Sequence, residues 1–211
     1  MRRVSGVIVR ILFVAAMLAV SSSSAWAQAA TRVVVLADSS SAMREMTVPF
    51  REGLQALVDG LPADAEIMLI STGGQLRVRT QPTLDREQLR KTMGAFGSDT
   101  GGNAVVTAIV ESDKRFLEAP KVARPVMVIL TVDSNAISDG AVERYNEWLP
   151  GFARRGGVAY GVIVRQRNMG LPSQIVENVA ANTRGKAVTI ATANGVAAAM
   201  TEMASLIAAR K

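Results

Sequence analysis

Three short polar stretches carry most of the oxygen chemistry of this chain: Asp38-Ser39-Ser40-Ser41, Asp99-Thr100-Gly101-Gly102-Asn103 and Asp133-Ser134-Asn135. Aspartate, serine and asparagine ahead of a helix satisfy its free amides, and Asp38, Ser40 and Ser41 suit that role at one helix start, as Asn103 does at another. The same serines, together with the helix amides behind them, form a cradle for an anion, with Arg165 and Arg167 placed later in the chain to assist. Gly101 and Gly102 permit a turn, and Asp133-Ser134-Asn135 also reads as a plain polar loop.

What is missing limits catalysis. The 211 residues include no His and no Cys, which excludes Ser-His-Asp and Cys-His nucleophiles, the commonest general base, and thiolate metal sites. An aspartate nucleophile at Asp38 would expect a second acid two residues on, and Ser40 stands there. No G-x-G-x-x-G turn follows the first apolar run, which argues against dinucleotide binding. The expectation is a binding protein, not an enzyme.

The elements that must position these loops follow from apolar patterning. Val33 to Leu36 is a continuous β-branched run suited to a strand buried on both faces. Phe50, Leu54, Leu57, Val58 and Leu61 form one helical stripe that Leu61-Pro62 closes. Glu66 to Ile70 and Gln75 to Thr80 read as a hairpin around Thr72-Gly73-Gly74, with Leu76 and Val78 inward and Arg77 and Arg79 outward on an edge strand, where charge discourages unwanted pairing. Helices are predicted over Asp85 to Met93, Asn103 to Leu117, Ala141 to Arg154, Ile175 to Ala181 and Gly195 to Ala209, and strands over Val126 to Leu130, Val158 to Val164 and Val188 to Ile190. This alternation gives an α/β fold: a doubly wound, mostly parallel six-stranded sheet with one antiparallel edge strand and helices on both faces. Ligands of such sheets bind beyond the carboxyl ends of the strands, which places the expected crevice beside Asp38 and Asp133.

The amino-terminal residues are read apart from the fold. Arg2 and Arg3 precede an apolar run from Val7 to Val20, then serines, then Ala25-Trp26-Ala27. That order is a signal peptide's, with cleavage after Ala27 and a mature domain over residues 28–211. The apolar run is shorter than the roughly 20 residues that span a bilayer. Without Cys the exported chain folds by core packing alone, and the absence of Asn-x-Ser/Thr acceptors favours a bacterial periplasmic or secreted setting. Taking Arg2, Arg3 and Arg10 from the 24 basic residues leaves 21 against 18 acidic ones. So small an excess, without a basic block, gives no support for nucleic-acid binding.

The run from Val33 to Met43, with Asp38-Ser39-Ser40-Ser41-Ala42 at its centre, resembles the opening of von Willebrand factor type A (VWA) domains, where a strand ends in D-x-S-x-S and a helix follows. Asp99-Thr100-Gly101-Gly102-Asn103, Val128-Ile129-Leu130-Thr131 leading to Asp133, and Thr183-Arg184-Gly185-Lys186-Ala187 extend the resemblance over nearly all of the mature chain. It implies a VWA-type, Rossmann-like three-layer sandwich and a metal-ion-dependent adhesion site holding Mg²⁺ or Mn²⁺ with oxygen ligands. Carried over, Asp38 and Ser40 match the first carboxylate and hydroxyl, but Ala42 takes the next hydroxyl position. Asn103 takes that of a threonine and Val132 that of an aspartate, with Asp133 displaced by one residue. Mg²⁺ demands near-ideal octahedral geometry, so these departures imply a degenerate site whose hold on Mg²⁺ or Mn²⁺ is weakened or lost. The residues left to hold a cation are Asp38, Ser40 and Asp133, with Ser41 and Thr100 as further oxygen donors.

The resemblance implies an interaction module that meets a protein partner in the periplasm or cell envelope through loops around Asp38, Ser40, Ser41, Thr100, Asn103 and Asp133. No membrane insertion is expected after signal cleavage. The alternative is a small-ligand or anion-binding periplasmic protein using the same loops.

Overall fold

A computed structural model describes residues 30–119, 122–133, 140–165 and 170–210. The signal segment, Ser134, Asn135 and Arg167 lie outside them. In chain order the elements are β1 (Ala30–Ala37), a 3-10 segment (Ser41–Met46), α1 (Thr47–Gly60), β2 (Glu66–Ser71), β3 (Arg77–Thr83), α2 (Arg86–Gly94) and α3 (Val105–Ser112). There follow β4 (Val122–Val132), α4 (Gly140–Arg154), β5 (Val158–Val164), α5 (Leu171–Asn182), β6 (Lys186–Ile190) and α6 (Val196–Ala208).

The strands form one six-stranded sheet in the order β3-β2-β1-β4-β5-β6. All neighbours are parallel except β2 and β3. Alternation along each strand divides the core in two. Val33, Val35 and Ala37 of β1, with Val128, Leu130 and Val132 of β4, face α1, α2 and α6. Val34 and Leu36, with Met127 and Ile129, face α3, α4 and α5. The central strands are apolar on both faces because helices cover both. Burying each such aliphatic side chain contributes about 1.5–3 kcal/mol, the main drive for this layering.

Helices α1 and α6 present the apolar stripes that their sequence patterns expect. Phe50, Leu54, Leu57 and Val58 of α1 and Val196, Met200, Met203 and Ile207 of α6 are buried against the same face. These two helices interlock through small residues: a Cβ on Gly53 would stand 2.4 Å from Val196 Cγ1, and one on Gly60 2.7 Å from Ala204 Cβ. Asp85 caps α2 by accepting from the Gln88 amide.

Two expectations are corrected. The edge strand β3 runs Arg77–Thr83, not Gln75 to Thr80, because irregular register against β2 carries the pairing on past Pro82, which an edge strand tolerates. The helix expected over Asn103 to Leu117 begins only at Val105 and ends as α-helix at Ser112, the next five residues Asp113–Leu117 winding as a π-type turn. That turn carries Asp113 into the interior, where Trp148 Nε1 and Arg155 Nη2 donate to its Oδ2 at 2.6 and 2.5 Å.

Candidate functional site

The winding reverses between β1 and β4, which are hydrogen-bonded neighbours although separated in sequence by β2 and β3. Their carboxyl ends open the crevice where open α/β sheets hold ligands. Asp38 follows β1 directly, and its amide donates to Leu130 O of β4 at 2.8 Å. Its carboxylate is buried and fully engaged. Oδ1 accepts from the Ser40 amide at 2.8 Å. Oδ2 accepts from Asn103 Nδ2 at 2.9 Å, from the Val132 amide at 3.1 Å and from Thr131 Oγ1 at 3.5 Å.

Asn103 is the hub of this network. Its Nδ2 also donates to Thr131 Oγ1 at 2.7 Å, and its Oδ1 accepts from Thr72 Oγ1 at 2.7 Å. The carboxylate fixes the orientation of the amide, since only the NH₂ end can face it. Asn103 is no helix cap: Ala104 holds that position, without a side-chain cap. Asp38, Thr72, Asn103 and Thr131 are each no more than 2% exposed. Burial raises the Asp38 carboxyl above its ordinary value of 3.8, against the opposing pull of its contacts with Ser40, Val132 and Thr131.

A second network, centred on Asp99, holds the outer side of the crevice. Its Oδ2 accepts from Ser39 Oγ at 2.7 Å, from Ser71 Oγ at 3.4 Å and from Arg79 Nη2, and its Oδ1 from Arg77 Nη1 at 3.5 Å. Burial works to raise this carboxyl, but the hydrogen bonds from Arg79 and Ser39 and the charges of Arg79 and Arg77 hold it below 3.8. Ser39 Oγ in turn accepts from the Gly73 amide at 2.8 Å. A Cβ at Gly73 would stand 2.5 Å from Ser39 O, so this approach requires glycine. Gly101, at φ 107°, makes the other tight contact, its Cα lying where the two glycine loops Gly73-Gly74 and Gly101-Gly102 meet.

The six residues expected at the site share this end of the sheet in three different ways. Asp38 and Asn103 touch. Ser41 and Thr100 are exposed on adjoining loops, with the Ser41 amide donating to Gly101 O at 3.2 Å. Ser40 and Asp133 are buried, but Ser40 reaches Asp38 through its amide while Asp133 turns to the far side, its Oδ1 accepting from the Gly170 amide at 2.6 Å. Ser40 Oγ and Asp133 Oδ2 have no hydrogen-bond partner among the described residues. Reading the sequence missed Thr72 and Thr131 as members of the inner network and Asp99 as the centre of the outer one. Arg77 and Arg79, two residues apart on one strand face, were the signal that a carboxylate lay opposite.

This donor set does not fit a divalent cation. The Asn103 amide directs N–H donors at the Asp38 oxygen that a cation would need, and amide nitrogen is no ligand for hard ions. An anion cradle fits no better, because the amides of Ser40, Ser41 and Met43 already donate to Asp38 Oδ1, Gly101 O and Ser40 O.

No family model and no curated protein matches the chain. Solved structures do. A von Willebrand factor type A protein from Catenulispora acidiphila superposes with a TM-score of 0.66 at 15% identity, over 83% of this chain and 42% of that one. The conserved hypothetical protein BatB from Bacteroides thetaiotaomicron gives 0.65 at 18% identity, over 84% and 98%. Proximal thread matrix protein 1 of the mussel byssus, with zinc in its MIDAS motif, gives 0.64 at 13% identity, over 84% and 45%. The chain thus spans less than half of the first and third of these proteins and nearly all of the second. With its single antiparallel edge strand and helices on both faces, it has the von Willebrand factor type A fold.

Proposed function

We propose that the protein is an exported interaction module whose rim loops receive a protein partner in the periplasm or cell envelope, without a resident cation and without catalysis. The observation that carries this reading is the Asn103 amide seated on the Asp38 carboxylate, where the family resemblance implies a metal-ion-dependent adhesion site. A neutral amide there ties three loops together from beneath and leaves the exposed Ser41, Thr100 and Gly101 as the accessible face. Asp38 shapes that face but is too buried to contact a partner. Export rests on the leader-like order of residues 1–27, and no described helix is long and apolar enough to cross a membrane.

The test is capture of a partner from periplasmic and envelope fractions, followed by affinity measurement on the identified complex. Ser41→Arg and Thr100→Arg are expected to weaken binding at least about tenfold, as a misplaced charge in an interface core does, without changing Tm. EDTA is expected to leave affinity unchanged. Full affinity in both variants moves the contact surface elsewhere, and loss of affinity in EDTA overturns cation independence.

A further inference from the structure

Beside the rim, α2 and β3 flank an open cleft of about 630 Å³. One wall is the solvent side of α2 and its C-cap: Gln88, Lys91, Thr92 and Ala95 recur at i, i+3, i+4 and i+7, while Leu89 and Met93 of the same helix are buried in the core. Those positions cover two turns, so the cleft runs about 10 Å along the helix axis. The other wall is Arg79 of β3 with the loop from Phe96 to Asp99. Asp99 directly precedes the exposed Thr100, so the cleft adjoins the rim face.

The charge presented by this cleft has one sign. Arg79 is fixed in place: its Nε donates to Ser71 Oγ at 2.8 Å and its Nη2 to Asp99 Oδ2, leaving Nη1 without a hydrogen bond among the described residues. Lys91, on the helix wall, is exposed. Arg51 supports the loop, where its Nε donates to Phe96 O at 2.5 Å and a Cβ on Gly97 would stand 3.9 Å from its Nη2. Among the described residues Asp99 is the one acid lining the cleft. Both of its oxygens already accept hydrogen bonds, from Ser39, Ser71, Arg79 and Arg77. What the cleft offers an incoming group is therefore donors and positive charge.

We propose, on the reading that the rim receives a protein partner, that this cleft seats an extended acidic segment of that partner, with its carboxylates paired to Arg79 and Lys91. A guanidinium already held in position loses little conformational freedom on binding, and its planar fork matches a carboxylate. A cleft open to solvent admits a chain that continues at both ends, and about 10 Å takes three extended residues.

The test uses a fluorescently labelled hexaglutamate peptide, titrated with the purified protein and followed by anisotropy. Saturable binding that weakens with added salt is expected. Lys91→Glu is expected to weaken it about tenfold, because it sets like charge against the peptide. Lys114→Glu makes the same charge change at an exposed position on the opposite face of the sheet, and is expected to weaken it less than about twofold, as a distant, screened charge does. Arg79→Gln should act as Lys91→Glu does, with circular dichroism to check that each variant folds. Lys91 is exposed, so its variant decides the matter even where the loss of Arg79 disturbs the fold. No saturable binding, or equal weakening by Lys91→Glu and Lys114→Glu, overturns the proposal. Succinate competing as tightly as hexaglutamate also overturns it, making the cleft a site for a small dicarboxylate. The probe is measured on the protein alone, so its failure leaves the rim reading standing; that reading falls by the Ser41 and Thr100 variants against the captured partner.

Discussion

Asn103 Nδ2 lies 2.9 Å from Asp38 Oδ2, so a side-chain amide from the loop before α3 neutralises the acceptor capacity of the carboxylate that ends β1. An amide is permanent and uncharged, and it supplies this contact at any cation concentration.

The first prediction concerns that amide. Asn103→Ala leaves Asp38, Thr131 and Thr72 each short of a buried partner, and each orphaned group costs about 1–3 kcal/mol. A loss of about 3 kcal/mol or more in urea unfolding, with an unchanged m-value, is expected. Asn103→Asp should be worse at neutral pH, where it sets two carboxylates together, and should recover as the pH is lowered. A loss within about 0.5 kcal/mol, the range of an ordinary surface substitution, would show that the amide is not a keystone.

Cation titration gives the second. Calorimetry with Mg²⁺ and Mn²⁺ is expected to show no specific heat, and millimolar Mg²⁺ to leave Tm unchanged. Asn103→Thr combined with Ala42→Ser removes the competing amide and supplies two hydroxyls at the positions where the family resemblance implies them. That double variant is expected to gain a Mn²⁺-dependent rise in Tm. A cation response in the wild-type chain would instead mean that the amide yields its place.

Third, Asp38 and Asp99 should act on stability in opposite senses. Burial raises the Asp38 carboxyl, so between 3.8 and its higher folded value the native state holds a proton that the unfolded chain has released. Its ionisation therefore lowers stability as pH climbs through that window. Asp99, held below 3.8 chiefly by Arg79 and Ser39 against the effect of burial, adds stability that is complete above 3.8 and lost as pH falls through its folded value. Asp99→Asn should cost about 1–2 kcal/mol at neutral pH and almost nothing below the folded value. Unfolding curves across this range for wild type, Asp38→Asn and Asp99→Asn check both signs; a parallel pair of difference curves would refute the assignment.

The fourth compares two glycines near β6. A Cβ on Gly185 would stand 1.7 Å from Ala159 O, a backbone atom that cannot step aside, whereas one on Gly195 meets nothing closer than 3.6 Å. Gly185→Ala is expected to cost about 3 kcal/mol or more through forced backbone movement. Gly195→Ala, at φ −79°, should be neutral or stabilising by about 0.4–1 kcal/mol. Thermal melts of the two variants decide it.

The layering was legible because β1, β4 and β5 are apolar on both faces, a pattern that only helices on both sides satisfy. Convergence at the switch point was legible from topology, and Asp38 and Asn103 do meet there. The details depended on contacts that periodicity does not carry. Asp133 sits one residue past the strand position that faces Asp38, and this single step turns its carboxylate toward Gly170. Thr131 and Thr72 look like ordinary strand-end residues until Asn103 joins them. The π-type turn at Asp113 leaves the apolar stripe of α3 almost unaltered, and so leaves little mark on the sequence.

The fit of Gly53 and Gly60 against Val196 and Ala204 has a kinetic consequence. A helix whose side chains are seated in notches of its neighbour cannot slide along its axis by even one 1.5 Å step without steric overlap. Movement of α6 along α1 therefore has to pass through overlap at both notches, which slows it.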